Sequence, residues 1–271
     1  MTPNRGFLWT IYGCNPANPR KGDGHTEAYY DLRFLFHAAW RSWRAWHPGE
    51  AGAVVDHDGS LSDADCDLLA ALGIAVIVPV VTYAPPSTLN KLVSLAHSPW
   101  PVTMHVDLDI VWTDNAGPIW DVPGEWDLAG LDLPYGHAYP DPDGTTKNWG
   151  TVNDGTPRIP CACVLLCRLP PGAVLALLSL ALPGEWSDEV LLARGELNGN
   201  LRFGRIPNRF VWDTWEGSGW ALDYESLIHL WTTTDPEGVK HIPRALHWGG
   251  GHGKRKAFTS EDLRHYLDCL R

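Results

Sequence analysis

The sequence predicts an α/β protein, with a mostly parallel central sheet flanked by helices in a single domain. Three observations carry that expectation. Apolar β-rich runs alternate with helical periodicity four times within about the first 110 residues, the pattern of a parallel sheet with crossover helices. The chain has 27 Gly and 22 Pro, which supply the many turns such alternation needs. At 271 residues, with 44% hydrophobic and 20% charged side chains, it can bury a sizeable core and is not disordered.

The elements follow in order. Residues 7–12 are β-rich and stop at Gly13-Cys14-Asn15-Pro16, a first strand and turn. Leu32, Leu35, Phe36, Ala39, Trp40 and Trp43 then recur at helical spacing, and Pro48-Gly49 ends that helix. Residues 51–55 form a short apolar strand leading into Asp56-His57-Asp58-Gly59. Ser62 with Asp65 three residues later reads as a capping box, and Gly73 as the cap at the other end of the helix. Residues 74–81 are uninterrupted apolar sequence, as in a strand covered on both faces. Ser87 caps a helix that faces Leu89, Leu92, Val93 and Ala96 inward. Val102-Thr103-Met104-His105-Val106 is a strand that runs straight into Asp107-Leu108-Asp109.

Residues 113–160 read as loop-rich, dense in Pro, Gly, Asp and Trp. A strand over 161–167 and a short helix over 172–182 follow; Ser187-Asp188-Glu189 opens another helix, and Ser260 caps the last. No repeat and no linker divides the chain.

Lys and Arg total 21 against 32 Asp and Glu, a net charge of −11. That balance argues against non-specific grip on nucleic acid or an anionic membrane. It also repels a phosphorylated substrate unless a metal ion or clustered basic side chains receive the phosphates. The six cysteines lack the paired spacing of a structural zinc site, and Cys161, Cys163 and Cys167 lie in an apolar run as buried thiols. The first fifteen residues lack the apolar core of a signal peptide, and residues 174–182 are too short to span a bilayer. A reduced, cytoplasmic protein without a membrane span is expected. The 15 Trp either fill the core or form flat binding platforms.

Ligands of parallel α/β sheets bind beyond the carboxyl ends of the strands. DxD triplets occur at 56/58, 63/65, 65/67, 107/109 and 141/143, so a triplet alone carries little information. The 63–67 pair of triplets lies in a polar helix start and 141/143 in a Pro-rich loop. Two remain at strand ends. Asp107 and Asp109 flank one residue, so they can hold a divalent ion that also binds two phosphate oxygens.

Lys91, the strand after it and His105-Val106-Asp107-Leu108-Asp109-Ile110 resemble the donor half of GT-A glycosyltransferases, whose fold is Rossmann-like. The nearest likeness is to the retaining glycogenin and lipopolysaccharide galactosyltransferase-like family. That family completes its metal site with a histidine in a His-x-x-Gly-x-x-Lys motif near the C-terminus. Here His247-Trp248-Gly249-Gly250 matches, with Lys254 one residue later than the pattern. The family's Asn-x-Gly strand is replaced by Pro160-Cys161-Ala162-Cys163, while Ser187-Asp188-Glu189 matches the helix near its acceptor.

The resemblance implies a single GT-A-like domain over 1–271, with a nucleotide-sugar donor half (1–112), an acceptor half (113–246) and a C-terminal metal and phosphate loop with its helix (247–271). It implies Mn²⁺ or Mg²⁺ on Asp107, Asp109 and His247, with a UDP-sugar as donor. Lys91, Asp107 and Lys254 are expected at the diphosphate, Tyr12 and Asn15 at the nucleoside, and Asp188 and Glu189 at the reacting centre. Transfer with retention to a small-molecule, saccharide or protein-linked acceptor follows.

Two other readings stay open at this level. Asp56-His57-Asp58-Gly59-Ser60 looks like the nucleophile loop of haloacid-dehalogenase-type phosphohydrolases, with Asp56 attacking phosphorus and Asp58 as acid and base. The only Gly-Asp, Gly22-Asp23, lies upstream of it, where that family's final acidic motif does not belong. A Trp-rich carbohydrate-binding protein would stack sugars on Trp212, Trp215 and Trp220. Within the transferase reading, Trp149, Trp212, Trp215 and Trp220 offer ring faces to an acceptor. A modified base in DNA is the less favoured acceptor, with Arg202, Arg205, Arg209 and Lys254-Arg255-Lys256 on its phosphates.

Overall fold

A computed structural model describes residues 4–12, 33–80, 88–133, 138–140, 146–148, 159–181, 187–213, 221–248, 257 and 260–270. The chain divides into two compact units, each discontinuous in sequence. Unit 1 is Met1–Asp23, Ala51–Asp107 and Val122–Ile206; unit 2 is Gly24–Glu50, Leu108–Asp121 and Pro207–Arg271.

Unit 1 is built on a seven-stranded sheet. Its apolar runs become β1 (Arg5–Ile11), β2 (Gly52–Asp56), β3 (Ile74–Ile77) and β4 (Val102–Val106), and these four are mutually parallel in the order β3-β2-β1-β4. The register places Leu8 against Ala53 on one side and His105 on the other. Beyond β4 the sheet turns antiparallel. In unit 2, β5 (Ile110–Trp112) follows the DxD triplet; in unit 1, β6 (Leu128–Leu133), β7 (Ala138–Pro140), β8 (Thr146–Asn148), β9 (Ile159–Cys167) and β10 (Phe203–Ile206) come next in chain order. The long strand β9 pairs antiparallel with β4 and with β6, β10 closes that edge parallel to β6, and β7 with β8 forms a separate hairpin.

The strand β6, next to the β10 edge of the sheet, lies inside the stretch expected to be loop. Its hydrophobic pattern is broken by Gly130 and Asp132, which hid it. The glycine fits a tight spot: a Cβ there would meet the Cys161 carbonyl and the Phe203 ring at 3.0 Å, and the register with β9 shifts at that residue.

In chain order the helices are α1 (Arg33–Trp46) in unit 2 and, in unit 1, α2 (Asp63–Ala71) and α3 (Asn90–Ala96). The short α4 (Gly117–Trp120) belongs to unit 2, while α5 (Pro171–Leu178) and α6 (Asp188–Leu197) return to unit 1. The capping box of α2 forms as its sequence predicts, Ser62 accepting from the Asp65 amide while Asp65 accepts from Ser62, and Gly73 ends the turn at φ 67°. Three expectations need correction. Ser87 lies outside the described residues, and α3 starts at Asn90 behind Leu89, which makes no side-chain cap. The helix expected over 172–182 closes at Leu178. The apolar run 74–81 is not covered on both faces: β3 is the sheet edge, it ends at Ile77, and Val76, Val78 and Val80 are 44, 76 and 95% exposed.

The core of unit 1 is aliphatic. Leu8, Val55, Leu92, Leu165, Val174, Leu177 and Leu191 form one buried cluster between the sheet and its helices. Each such side chain contributes about 1.5–3 kcal/mol of transfer free energy. Cys161, Cys163 and Cys167 are buried thiols as expected, and burial pushes the Cys167 thiol up to about 12. Cys14 lies outside the described residues.

Unit 2 packs short strands with indoles. Here β5 pairs antiparallel with β15 (Ala245–His247), which pairs parallel with β11 (Val211–Asp213); β12 (Ala221–Glu225), β13 (Leu230–Thr234) and β14 (Lys240–His241) form an antiparallel sheet. The last helix, α7 (Glu261–Cys269), is capped by Ser260 accepting from the Leu263 amide. Trp40, Trp43 and Trp112 are fully buried, and Tyr266 donates to the Trp112 carbonyl at 2.8 Å while accepting from Trp46 Nε1 at 2.7 Å. Burial pushes the Tyr266 phenol well above the usual tyrosine range, so it stays a donor at any physiological pH. Among the described residues no helix is long and apolar enough to cross a membrane.

Candidate active site

In unit 1 the carboxyl end of β4 meets the first turns of α3 and α6. The antiparallel ladder continues one residue past β4, since the Asp107 amide donates to the Cys163 carbonyl at 2.9 Å. That bond fixes the direction in which Asp107 leaves the sheet. Lys91, on the first turn of α3, places its Nζ 2.8 Å from Asp107 Oδ1, 2.9 Å from Oδ2 and 3.6 Å from Asp188 Oδ2. Asp188 opens α6, where its amide donates to the Thr88 hydroxyl at 2.9 Å and Ser187 caps Val190.

All three groups are shielded, Asp188 most of all, with its side chain 3% exposed. Burial works to lower the Lys91 pKa, but Asp107 first, then Asp188 and Tyr12, hold it well above the usual lysine range. One ammonium thus serves two carboxylates, and this cluster carries net negative charge. Asp188 Oδ2 is buried and accepts no hydrogen bond from any described residue. A buried carboxylate oxygen without a donor costs free energy unless a ligand supplies one. Glu189, beside it, accepts from the Ala162 amide at 3.4 Å and so faces β9.

Behind this cluster a buried polar chain joins the strand ends to α3. Ser94 donates to the Asn90 carbonyl at 2.9 Å, so its oxygen accepts from Thr10 at 2.7 Å and from His57 Nε2 at 2.8 Å. Thr10 has then spent its proton and accepts from His105 Nε2 at 2.8 Å. Both imidazoles are therefore Nε2–H tautomers. Desolvation lowers His57 to about 4 and holds His105 well below the histidine range. Sequence reasoning missed this chain. Its only signal is single polar letters inside apolar runs, Thr10 in β1, Ser94 in α3 and His105 in β4.

In unit 2 the antiparallel pair β5–β15 sets His247 opposite Ile110, and the Trp248 amide donates to the Asp109 carbonyl at 2.9 Å. His247 Nε2 lies 3.4 Å from Asp109 Oδ1, too far for a strong hydrogen bond, with both side chains largely shielded. A carboxylate and an imidazole at this spacing are a chemically suitable half of a divalent-cation site. The other expected ligand, Asp107, is separated from Asp109 by Leu108 alone. Asn15 and Lys254 lie outside the described residues; Tyr12 follows β1 directly and is half-buried.

The competing motif is closed on itself. Asp56 Oδ1 accepts from the Ser60 amide at 2.9 Å and Oδ2 from Leu61 at 3.2 Å, so the carboxylate holds its own turn together. Asp58 accepts from the Ser60 hydroxyl. The expected ring face of Trp212 is also corrected. Trp212 is buried, edge-on to Trp248 at 5.6 Å, because it belongs to the aromatic core of unit 2. Trp149, Trp215, Trp220 and the 254–256 basic run lie outside the described residues. Arg202 is paired with Asp127 and Glu125, Arg205 with Glu196, and Arg209 lies over Phe210.

No protein-family model and no curated protein matches this sequence. Solved structures do. The galactosyltransferase LgtC, crystallised with donor and acceptor sugar analogs, superposes with a TM-score of 0.60 at 16% identity over 98% of this chain and 96% of its own. The bifunctional glycosyltransferase WbbM gives 0.61 at 11% identity over all of this chain but 50% of its own, so this chain spans half of WbbM. The apo form of GlyE from Streptococcus pneumoniae gives 0.55 at 10% identity over 98% of this chain and 62% of its own. At these identities the likeness concerns the fold, and this chain has the mixed α/β, GT-A-like fold of glycosyltransferase structures.

Proposed function

We propose that the protein is a metal-dependent glycosyltransferase that moves a sugar from a UDP-sugar to an acceptor hydroxyl with retention. The observation that carries this reading is the Lys91–Asp107–Asp188 cluster at the carboxyl end of β4, with its donorless Asp188 oxygen. The GT-A-like fold and the sugar analogs bound by LgtC support it.

In this reading Asp107, Asp109 and His247 hold Mn²⁺ or Mg²⁺. Two hard carboxylates and one imidazole suit either ion. The bound ion would neutralise the diphosphate against an acidic protein and stabilise it as it departs. Lys91, already charged at every physiological pH, contacts the diphosphate together with Lys254. Tyr12 and Asn15 flank the nucleoside. Asp188 Oδ2 accepts from a sugar hydroxyl beside the reacting carbon and so orients the donor, and Glu189 lines the same centre from α6.

The acceptor oxygen forms its bond to the anomeric carbon on the face from which the diphosphate leaves. The departing phosphate oxygen takes the bonding electron pair and receives the acceptor proton. The acceptor is a small molecule, a saccharide or a protein-linked group; the paired arginines and the −11 charge disfavour modified DNA. A cytoplasmic setting, with its free nucleotide sugars, fits the buried reduced thiols.

A thermal-shift screen of nucleotide sugars with and without Mn²⁺ tests the proposal, because a ligand that binds only the native state raises Tm by mass action. A UDP-sugar should raise Tm only with the ion present. A Tm indifferent to every nucleotide sugar contradicts the reading. An equal rise without metal contradicts the metal requirement, and an inverted anomeric proton in the product's NMR spectrum contradicts retention.

A further inference from the structure

Unit 2 gathers a second set of ligating side chains that the donor motif does not use. His229, His265 and Cys269 are exposed, and their ligand atoms lie within 4.8 Å of one another. The placement comes from two elements. His265 and Cys269 stand four residues apart on α7 and therefore share one face. His229 is the last residue of the turn joining β12 to β13, and its ring centroid is 5.3 Å from that of His265.

The backbone of His229 adds an independent observation. Its φ of 51° is the positive value recorded for a non-glycine among the described residues. Glycine fits the left-handed region without strain, whereas a Cβ crowds the backbone there. Histidine is among the few non-glycine residues enriched in this region, and here it brings an imidazole to the turn. The Tyr224 hydroxyl lies 3.2 Å from His229 Nδ1. That contact helps orient the ring, as outer hydrogen bonds do for metal-bound histidines.

We propose that His229, His265 and Cys269 form a site for a zinc-class divalent cation that clips α7 to the β12–β13 turn. Two imidazole nitrogens and a thiolate select a borderline-soft ion over Mg²⁺ or Ca²⁺, which prefer oxygen. Bonds of about 2.0 Å to nitrogen and 2.3 Å to sulfur put tetrahedral ligand atoms about 3.3–3.6 Å apart. The exposed side chains close the remaining gap, on the order of 1 Å, by small rotamer adjustments. The Cys269 thiol proton leaves to solvent as the sulfur–metal bond forms, and water completes the coordination. The site is independent of the glycosyltransferase reading.

Co²⁺ is the probe, added to the reduced full-length protein and then displaced with Zn²⁺. A thiolate-to-cobalt charge-transfer band should saturate at one equivalent, disappear in Cys269→Ser and in His265→Ala, and persist in Asp109→Asn. Zn²⁺ should also raise the Tm of the parent protein but not of His229→Ala. All three side chains are exposed, so these variants retain the core. A band that survives Cys269→Ser, or that never forms in the parent protein, overturns the proposal, as does a Zn²⁺-induced Tm shift unchanged in His229→Ala.

Discussion

The two units solve the burial problem with different materials. Unit 1 spreads Leu, Val, Ala and Cys over a seven-stranded sheet, while unit 2 fills the space around strands of two to five residues with Trp and Tyr. Small sheets have little area to cover. Large rigid rings supply the missing buried surface, and their N–H and O–H groups tie strands to helices, as Tyr266 does between Trp46 and Trp112. The polar chemistry differs in parallel. Unit 1 holds a buried ammonium between two carboxylates and a hydrogen-bonded chain of two neutral imidazoles, whereas unit 2 holds an acid–imidazole pair beside its smallest sheet. Among the described residues, the buried tryptophans of unit 2 report how that unit folds.

The sharpest way to break that contrast is Trp112→Ala. The indole is fully buried, so its loss should cost about 3–5 kcal/mol in urea melts. A near-neutral change would mean that the ring is not core. Lys91→Met should follow at about 3 kcal/mol, because it strands Asp107 and Asp188 without their cation. The pH dependence has a defined sign. The folded pKa of Lys91 is raised, so its contribution is complete below the unfolded value of about 10.4 and is lost as pH climbs through the folded one. The parent protein should therefore lose stability at high alkaline pH in a manner that Lys91→Met does not share.

A smaller effect, on the order of 2–3 kcal/mol, is expected from His57. Burial depresses its folded pKa to about 4, so the neutral ring stabilises the protein above the unfolded value of about 6.5. That stabilisation disappears as pH falls through 4. His57→Gln should flatten the slope of urea-melt stability between those values, and an unchanged slope would show that the imidazole chain is not held neutral.

What was legible in the sequence follows the same division. In unit 1 the strand β2, the Ser62 capping box and the run of β4 into Asp107 are local signals, and each formed as read. The failures there have physical causes. Val76, Val78 and Val80 are apolar letters at a sheet edge, where composition cannot report which face is covered. The strand β6 was concealed by a glycine that sits close against the β9 backbone. Nothing local links Lys91 to Asp188, which lies near it only because α3 and α6 both start at the carboxyl side of the sheet. In unit 2 the motif letters Asp109 and His247 were readable, but the fate of Trp212 was not, because aromatic packing is decided by partners far away in sequence.

The central claim is that the Asp107–Leu108–Asp109 triplet with His247 binds donor through a divalent ion. Isothermal calorimetry of UDP with the parent protein and with Asp109→Asn, in Mn²⁺ and in chelator, tests it most directly. Binding should require Mn²⁺ in the parent protein and fall at least tenfold, about 1.4 kcal/mol, in Asp109→Asn while the circular dichroism stays unchanged. Undiminished, Mn²⁺-dependent UDP affinity in Asp109→Asn would contradict the account.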